Sequence, residues 1–281
     1  MYSSRRIKDR LFIAFIASVS ILSLVPLFHI MITIAVNGVQ VIAKAGLRFF
    51  TDTPPAPLSR DVGGIAPALF GSFYITLVSL PITVVLALLA SILSTEFPSN
   101  IISRAVDVLS RSLASVPTIV VSMVVYTTVV VPMRGFSALA GVIALSLISL
   151  PYAYTAFSTA LRSVPQIYRE AAYSIGMDRW RTVRRVLLPV SRRIIVTGIL
   201  MVFARAMGET AALLFTVGRY RMGINIDIRA PTDAIPLLIF DFITTPFKLY
   251  QEIAWGAALV LLAAYLAIFV SVKVAVKEVR L

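Results

Sequence analysis

The sequence contains no cysteine and a single histidine, His29, among its 281 residues. Disulfide bonds, thiolate chemistry, iron–sulfur clusters and zinc sites built from cysteine and histidine are therefore excluded. Charged residues are also scarce, at 14% where a soluble domain carries about 25%. This composition argues against an ordinary soluble enzyme, and we predict neither a catalytic residue nor a metal ligand in the chain.

The chain is strongly apolar: 59% of its residues are hydrophobic, many of them in long stretches, and the mean hydropathy is +0.92. A membrane-spanning helix needs about 20 mostly apolar residues, and lipid disfavours open strands because it offers their backbone no hydrogen-bond partner. We predict an all-α membrane protein with one transmembrane domain over 11–272 and short termini at 1–10 and 273–281. Its six predicted spans are 11–36, 67–93, 113–131, 136–156, 194–217 and 253–272.

The formal net charge is +13 although few residues are charged, and such a surplus alone could indicate a nucleic-acid partner. The basic residues are unevenly distributed, however, with 17 on the side of the amino terminus and eight on the other side. Positive residues concentrate on the cytoplasmic side of membrane proteins. The charge therefore predicts a multi-pass protein of the cell membrane with both termini in the cytoplasm, in contact with lipid and with no nucleic acid.

The largest polar segment on the predicted cytoplasmic side covers residues 158–193, here called the basic segment. Pro165 is well placed to open a short helix, and Gly176 offers a turn. A second, amphipathic helix is expected to run from there to Pro189. These features predict a helix–turn–helix under the membrane, although a basic loop could also serve only to orient the chain.

A phosphate-binding P-loop requires a lysine directly after glycine, so that its side chain reaches the nucleotide phosphates. None of the five lysines of this chain follows a glycine. We therefore expect the chain to bind no ATP or other cofactor and to take its energy from another polypeptide or from an ion gradient.

Two charged residues, Arg205 and Glu209, lie inside the fifth predicted span. Burying such a charge costs at least about 2.5–3.5 kcal/mol, so it usually faces a bundle interior or a water-filled cavity. A spacing of four residues would place both side chains on one helix face, beside the small Gly208 and the hydroxyl of Thr210. Arg205 could then bind an oxyanion while Glu209 neutralises it or accepts a proton. Alternatively, the two residues form a structural ion pair that fixes helix register.

The basic segment carries a spaced motif, Glu-Ala-Ala, then glycine after three residues, then Val-x-Leu-Pro after nine more. It resembles the EAA motif of ABC-importer permeases, with valine in place of isoleucine. In that family this loop docks on a separate ATP-binding subunit. The resemblance implies a coupling role for the matched positions Glu170, Ala171, Ala172, Gly176, Leu188 and Pro189.

A closer resemblance covers about residues 65–275. The stretch 204–216 is similar to the "ARxxGETAPLLFT" signature of phosphate-importer permeases of the PstA type, and 71–77 and 116–120 match further segments of that family. Ala212 stands where proline is usual, which predicts a straighter helix. The resemblance implies a type I importer fold with six helices and a phosphate pathway at Arg205 and Glu209.

The same resemblance implies an assembly. Its other members would be a second, homologous permease, two copies of an ATP-binding subunit that holds ATP and magnesium, and an extracytoplasmic phosphate-binding protein. Two alternatives remain at this stage. One arginine suits other oxyanions such as sulfate or molybdate, and the pair at 205 and 209 could also serve a secondary anion transporter, which would have no need for an ATPase-docking motif.

Overall fold

The computed structural model describes residues 2–277, and their backbone is almost entirely helical. Met1 and residues 278–281, the end of the predicted carboxyl-terminal segment, lie outside the described residues. Within 2–277 no strand forms beyond one isolated bridge between Gly218 and Thr232. The helices are α1 (Tyr2–Ala45), α2 (Arg48–Thr51), α3 (Ala66–Glu96), α4 (Ile101–Leu113), α5 (Thr118–Met133), α6 (Ala138–Arg162), α7 (Gln166–Ser174), α8 (Arg179–Met207), α9 (Ala211–Leu214), α10 (Ile235–Ile243) and α11 (Lys248–Lys277).

Five of these helices, α1, α3, α6, α8 and α11, are long and apolar enough to cross a membrane, and α4 with α5 makes a sixth candidate if the pair counts as one bent span. The prediction of an all-α membrane protein is confirmed. The third predicted window, 113–131, differs from the structure because the chain bends by 107° between α4 and α5. Pro117 caps α5, and a residue before proline avoids helical geometry, which explains the break.

The fifth window also differs, because 194–217 is not one helix. Helix α8 ends at Met207, Gly208 follows it, and the short α9 begins only at Ala211. The break comes before Ala212, so the missing proline does not straighten this region. Glycine directly after the last helical turn is a common helix terminator.

At its other end, α8 begins at Arg179 and runs through Pro189 without stopping there, contrary to expectation. A π turn at Val183–Leu187 directly precedes the proline, and the Leu188 N–H bonds to the Val183 carbonyl. Proline lacks an N–H and crowds the carbonyl four residues earlier, so the wider turn lets the helix continue. The amphipathic helix of the basic segment and the fifth span therefore form one rod.

The helices pack around a central parallel pair, α3 and α6, in which Ser146 contacts Ser79 and Tyr154 contacts Ser94, and α8 lies against both helices. Residues Ala87, Tyr154 and Phe157 are buried where these three helices meet. Helix α10 buries Ile235 and Leu238 against α3 and α11. Helix α1 packs along α11, but its most apolar stretch stays on the surface of the chain. This arrangement leaves a concave space between α6, α8 and α11.

Candidate functional site

A cavity of about 860 Å³ lies between α6, α8 and α11. On α8 its lining residues recur every three or four positions from Ile194 to Arg205, so one face of that helix forms a wall. Tyr152 and Thr155 contribute from α6, and Tyr265 from α11. The cavity is largely apolar, which makes its few polar groups prominent.

Arg205 and Glu209 meet at the wall of this cavity. The Nη2 atom of Arg205 lies 3.9 Å from the Oε2 atom of Glu209, with side-chain exposures of 38% and 13%. Their contact was expected on a continuous helix, but Arg205 occupies the last turn of α8 and Glu209 lies beyond its end. A separation of 3.9 Å is an ion pair without a hydrogen bond. The guanidinium therefore keeps N–H donors available to a third group.

The guanidinium of Arg205 also contacts an aromatic ring that the sequence did not reveal. Its central carbon lies 3.8 Å from the centre of the Tyr152 ring, a cation–π distance. The buried Nε atom of Arg205 has no hydrogen-bond partner among the described residues. Arg205 is thus held by a ring face and one carboxylate while its N–H groups stay largely unused.

Gly208 lies where the hydroxyl of Tyr265 approaches the backbone. A Cβ atom at Gly208 would lie 1.5 Å from the Oη atom of Tyr265, so only glycine fits without moving the tyrosine. Gly208 and Glu209 line the cavity, whereas Thr210 does not and instead precedes α9, where its carbonyl accepts from Leu214. The structure thus brings together three of the four residues expected along the pathway.

The basic segment places its motif residues on different surfaces. Glu170 and Ala171 on α7 are exposed, whereas Ala172 is buried. Gly176 adopts a φ of +79° in the turn after α7, a conformation that favours glycine. Leu188 is half-buried and Pro189 exposed on α8. The glutamate of the motif therefore faces away from the helix bundle, where another chain can reach it.

An ion pair between Arg169 and Glu96 fixes α7 to the end of α3. The Nη2 and Nε atoms of Arg169 donate to the two carboxylate oxygens of Glu96 at 2.9 and 3.3 Å, and the side chains are only 12% and 3% exposed. Arg169 also donates to the carbonyls of Leu161 and Val164 at the end of α6. The sequence alone did not indicate this pair. An isolated glutamate at the end of an apolar run was the one feature that could have suggested it.

A second charged network lies at the opposite end of the bundle. Arg221 donates to Asp233 and to Asp241, each at 2.7 Å, and Arg219 donates to Asp241 at 2.7 Å. Burial raises the pKa of the Asp233 carboxyl, although the neighbouring Arg221 cation opposes this. The network joins the loop after α9 to helix α10. No group of three or more metal-ligating side chains forms within residues 2–277.

Comparisons with known proteins agree on one family. The model for "Binding-protein-dependent transport system inner membrane component" matches residues 84–280. A probable phosphate transport system permease protein PstA from Methanocaldococcus jannaschii is 40% identical over 274 residues, covering 98% of this chain and 95% of that protein. The phosphate transport system permease protein PstA of Yersinia pestis is 33% identical over 271 residues, covering 96% and 90%.

Solved structures share the fold at low sequence identity. A chain of the MetNI methionine ABC transporter in an inward-facing conformation superposes with a TM-score of 0.63 and 16% identity, covering 76% of this chain and 95% of that one. A chain of an amino acid ABC transporter crystallised with histidines gives 0.58 and 17%, covering 75% and 92%. The expected fold of an ABC-importer permease is confirmed.

Proposed function

This chain belongs to the family of inner-membrane components of binding-protein-dependent transport systems, the membrane permeases of ABC importers, and we propose that it carries inorganic phosphate into the cell. The observation that carries the proposal is the guanidinium of Arg205, which lies at the wall of the 860 Å³ cavity and has N–H donors without a partner in the described part of the chain. The names of the relatives support phosphate as the substrate.

Arg205 supplies the charge and geometry that a phosphate needs. A guanidinium presents parallel N–H groups that match two oxygens of a phosphate, and such charge-assisted bonds are stronger than neutral ones. Glu209, 3.9 Å away, neutralises Arg205 while the cavity is empty. It also offers an acceptor to the hydroxyl of a protonated phosphate. The ring of Tyr152 covers one face of the cation and leaves its edge for the substrate.

In our proposal, a separate ATP-binding subunit supplies the energy for transport. The exposed Glu170 on α7 belongs to the docking surface, and Ala171, Ala172, Gly176, Leu188 and Pro189 complete the coupling segment. Helix α8 begins in the same segment and ends beside the cavity. A movement imposed on α7 and α8 would change the side to which the cavity opens. This requires a partner whose two states differ in their contacts with this chain.

The proposal includes an orientation and a set of partners. The end of the bundle that carries the basic segment faces the cytoplasm with both termini, because positive residues concentrate there. ATP and magnesium bind to a dimer of ATPase subunits on that side, and this chain is not itself the enzyme. A second, homologous permease shares the membrane, and a phosphate-binding protein delivers substrate from outside.

The decisive experiment is uptake of radiolabelled phosphate into proteoliposomes that contain this chain with its partner subunits. Uptake that depends on ATP is expected, and Arg205→Gln should abolish it while the complex still assembles. Arg192→Gln, an exposed arginine elsewhere on α8, is the matched control and should keep normal uptake. Normal uptake by Arg205→Gln would contradict the proposed anion site. ATP-independent uptake would indicate a secondary transporter, and preference for sulfate would indicate another oxyanion.

Glu209→Gln separates a transport role from an architectural one. If the ion pair serves transport, the variant assembles and melts like the native complex but loses turnover. If the pair only fixes helix packing, the variant loses expression or thermal stability instead. Circular-dichroism melting and uptake measured on the same preparation distinguish the two results.

The docking surface is tested at Glu170, which is exposed on α7. Glu170→Arg reverses the charge and should weaken co-purification with the ATP-binding subunit. Glu278→Arg, which lies outside the basic segment, is the control and should leave recovery unchanged. Equal recovery of the complex from both variants would remove Glu170 from the interface.

A further inference from the structure

A second cavity, this one lined by polar side chains, lies at the end of the bundle opposite the basic segment. Its volume is about 310 Å³, and it is formed only by the end of α1 and the start of α11. Helix α1 contributes Asn37, Gln40 and Lys44, and α11 contributes Lys248 and other polar side chains. Neither the Arg205 cavity nor the coupling segment includes any of these residues. The cavity therefore needs an explanation of its own.

The crossing of the two helices explains why a cavity opens here. At Gly38 a Cβ atom would lie 2.6 Å from the Cβ of Leu259 and 2.9 Å from the carbonyl oxygen of Trp255, so the backbones of α1 and α11 are in close contact. Beyond this crossing the two helices leave a space that Lys44 and Lys248 line. The cavity is the wedge that remains between them.

The cavity has a positive charge that the chain does not balance. Lys44 pairs with Glu252 at 3.4 Å, so these two charges cancel. None of the described acidic residues forms an ion pair with Lys248, which leaves one cation. The side-chain amides of Asn37 and Gln40 likewise have no hydrogen-bond partner within the described range. A cation with free N–H donors favours an anionic, oxygen-rich ligand.

The position of the cavity along α1 and α11 places it at the level of the lipid headgroups. The apolar stretch of α1 ends at Val36 and that of α11 begins at Ile253, so the cavity lies directly beyond the hydrocarbon-crossing parts of both helices. Lipid headgroups occupy this level, and Trp255 at the cavity wall is a residue typical of the membrane interface. The neighbouring apolar surface of α1 is unburied within this chain.

We propose that this cavity binds the phosphate group of an anionic phospholipid. Lys248 and Lys44 contact the phosphodiester oxygens, the amides of Asn37 and Gln40 donate to the same oxygens, and the acyl chains follow the exposed face of α1. Lysine N–H groups bind phosphodiester oxygens through charge-assisted hydrogen bonds. The bound lipid would hold α1 against α11, whichever solute the importer carries.

The test is native mass spectrometry of the purified importer complex after addition of phosphatidylglycerol or phosphatidylcholine. The complex should retain phosphatidylglycerol in preference to phosphatidylcholine. Lys44→Ala/Lys248→Ala should weaken that retention by about tenfold or more, because it removes both cations that contact the phosphate oxygens. Arg60→Ala/Arg229→Ala removes two exposed cations outside the cavity and should leave retention unchanged.

Two results would overturn the proposal. One is equal retention of phosphatidylglycerol by the lysine and arginine double variants. The other is displacement of the lipid by millimolar inorganic phosphate, which would show that a free anion fills the cavity. If the lysine variant fails to assemble, Trp180→Phe leaves Trp255 as the single tryptophan of the chain. Its fluorescence should be quenched more by brominated phosphatidylglycerol than by brominated phosphatidylcholine, and equal quenching would refute the site.

Discussion

The guanidinium carbon of Arg205 lies 3.8 Å from the centre of the Tyr152 ring, so a side chain of α6 positions the cation of α8. Without this ring the guanidinium would keep a single partner, Glu209, at a distance too long for a hydrogen bond. The position of the Arg205 guanidinium in the cavity therefore depends on the packing of α6 against α8.

Replacing Tyr152 should reduce phosphate uptake according to the aromatic character that remains. Tyr152→Leu removes a cation–π contact worth about 0.5–2 kcal/mol, which corresponds to a loss of about 2- to 30-fold in uptake at low phosphate concentration. Tyr152→Phe keeps the ring and should retain most of the activity. Initial rates over a range of phosphate concentrations provide the measurement, and equal losses in both variants would show that the hydroxyl matters rather than the ring.

Gly208→Ala, just beyond the end of α8, should damage the site far more than Gly198→Ala within α8. The added methyl at position 208 would lie 1.5 Å from the Oη of Tyr265, whereas at position 198 the nearest atom, the Cβ of Ala156, is 3.0 Å away. Tyr265 must leave the cavity wall in the first variant, and overpacking of this kind costs about 1–3 kcal/mol. Melting temperature and uptake should both fall for Gly208→Ala. Comparable behaviour of the two variants would contradict the close approach of Tyr265.

Breaking the pair between Arg169 and Glu96 should destabilise the complex and loosen its coupling. Arg169→Met leaves the carboxylate of Glu96, which is 3% exposed, without a cation, and removing one partner of a buried pair costs about 3–5 kcal/mol. Arg181→Met breaks an exposed pair with Asp178 and should cost about 1 kcal/mol or less. Thermal unfolding gives the stability. The ATP consumed per phosphate transported gives the coupling, and it should rise only for Arg169→Met.

Arg221→Met should increase the pH dependence of stability. Burial already raises the pKa of the Asp233 carboxyl, and without Arg221 only a backbone hydrogen bond from Ala234 opposes that burial. A carboxyl with a raised folded-state pKa contributes full stability while it is protonated in both states, and this contribution is lost as the pH rises through the raised pKa. The variant should therefore melt at progressively lower temperature as the pH rises above the ordinary aspartate pKa of about 4.

Arg219→Met is the matched control for this experiment, because Arg219 also pairs with Asp241 but is 39% exposed and does not contact Asp233. Its melting temperature should change little with pH. Parallel pH profiles of the two variants would show that Asp233 does not titrate against Arg221.

The sequence was sufficient for the helical class because the apolar runs are long and lipid permits few alternatives. It also identified Arg205 and Glu209, since charges inside an apolar run are rare. It misplaced the end of α8 because the apolar run continues past Gly208, and hydropathy does not register a helix terminator. The bend before α5 was missed for the same reason, although Pro117 marked it.

Contacts between distant segments could not be predicted in this way. Tyr152 and Tyr265 are ordinary aromatic residues in apolar runs, and only the packing of α6 and α11 against α8 brings them to the Arg205 site. Arg169 was one arginine among many in the basic segment, and its partner Glu96 lies more than 70 positions earlier in the chain. Such pairings follow from the fold rather than from local sequence.

The unbroken course of α8 from Arg179 to Met207 makes it a lever arm. Its length is about 43 Å at a rise of about 1.5 Å per residue. With its pivot near the π turn, a tilt of about 10° would carry Arg205 sideways by about 5 Å, roughly the size of the ion it is proposed to bind. Because no hinge lies between Leu188 and Met207, this displacement is absorbed beyond the rod, at Gly208. If a partner moves the start of α8, as we propose, Gly208 is the position at which that movement would reach the cavity.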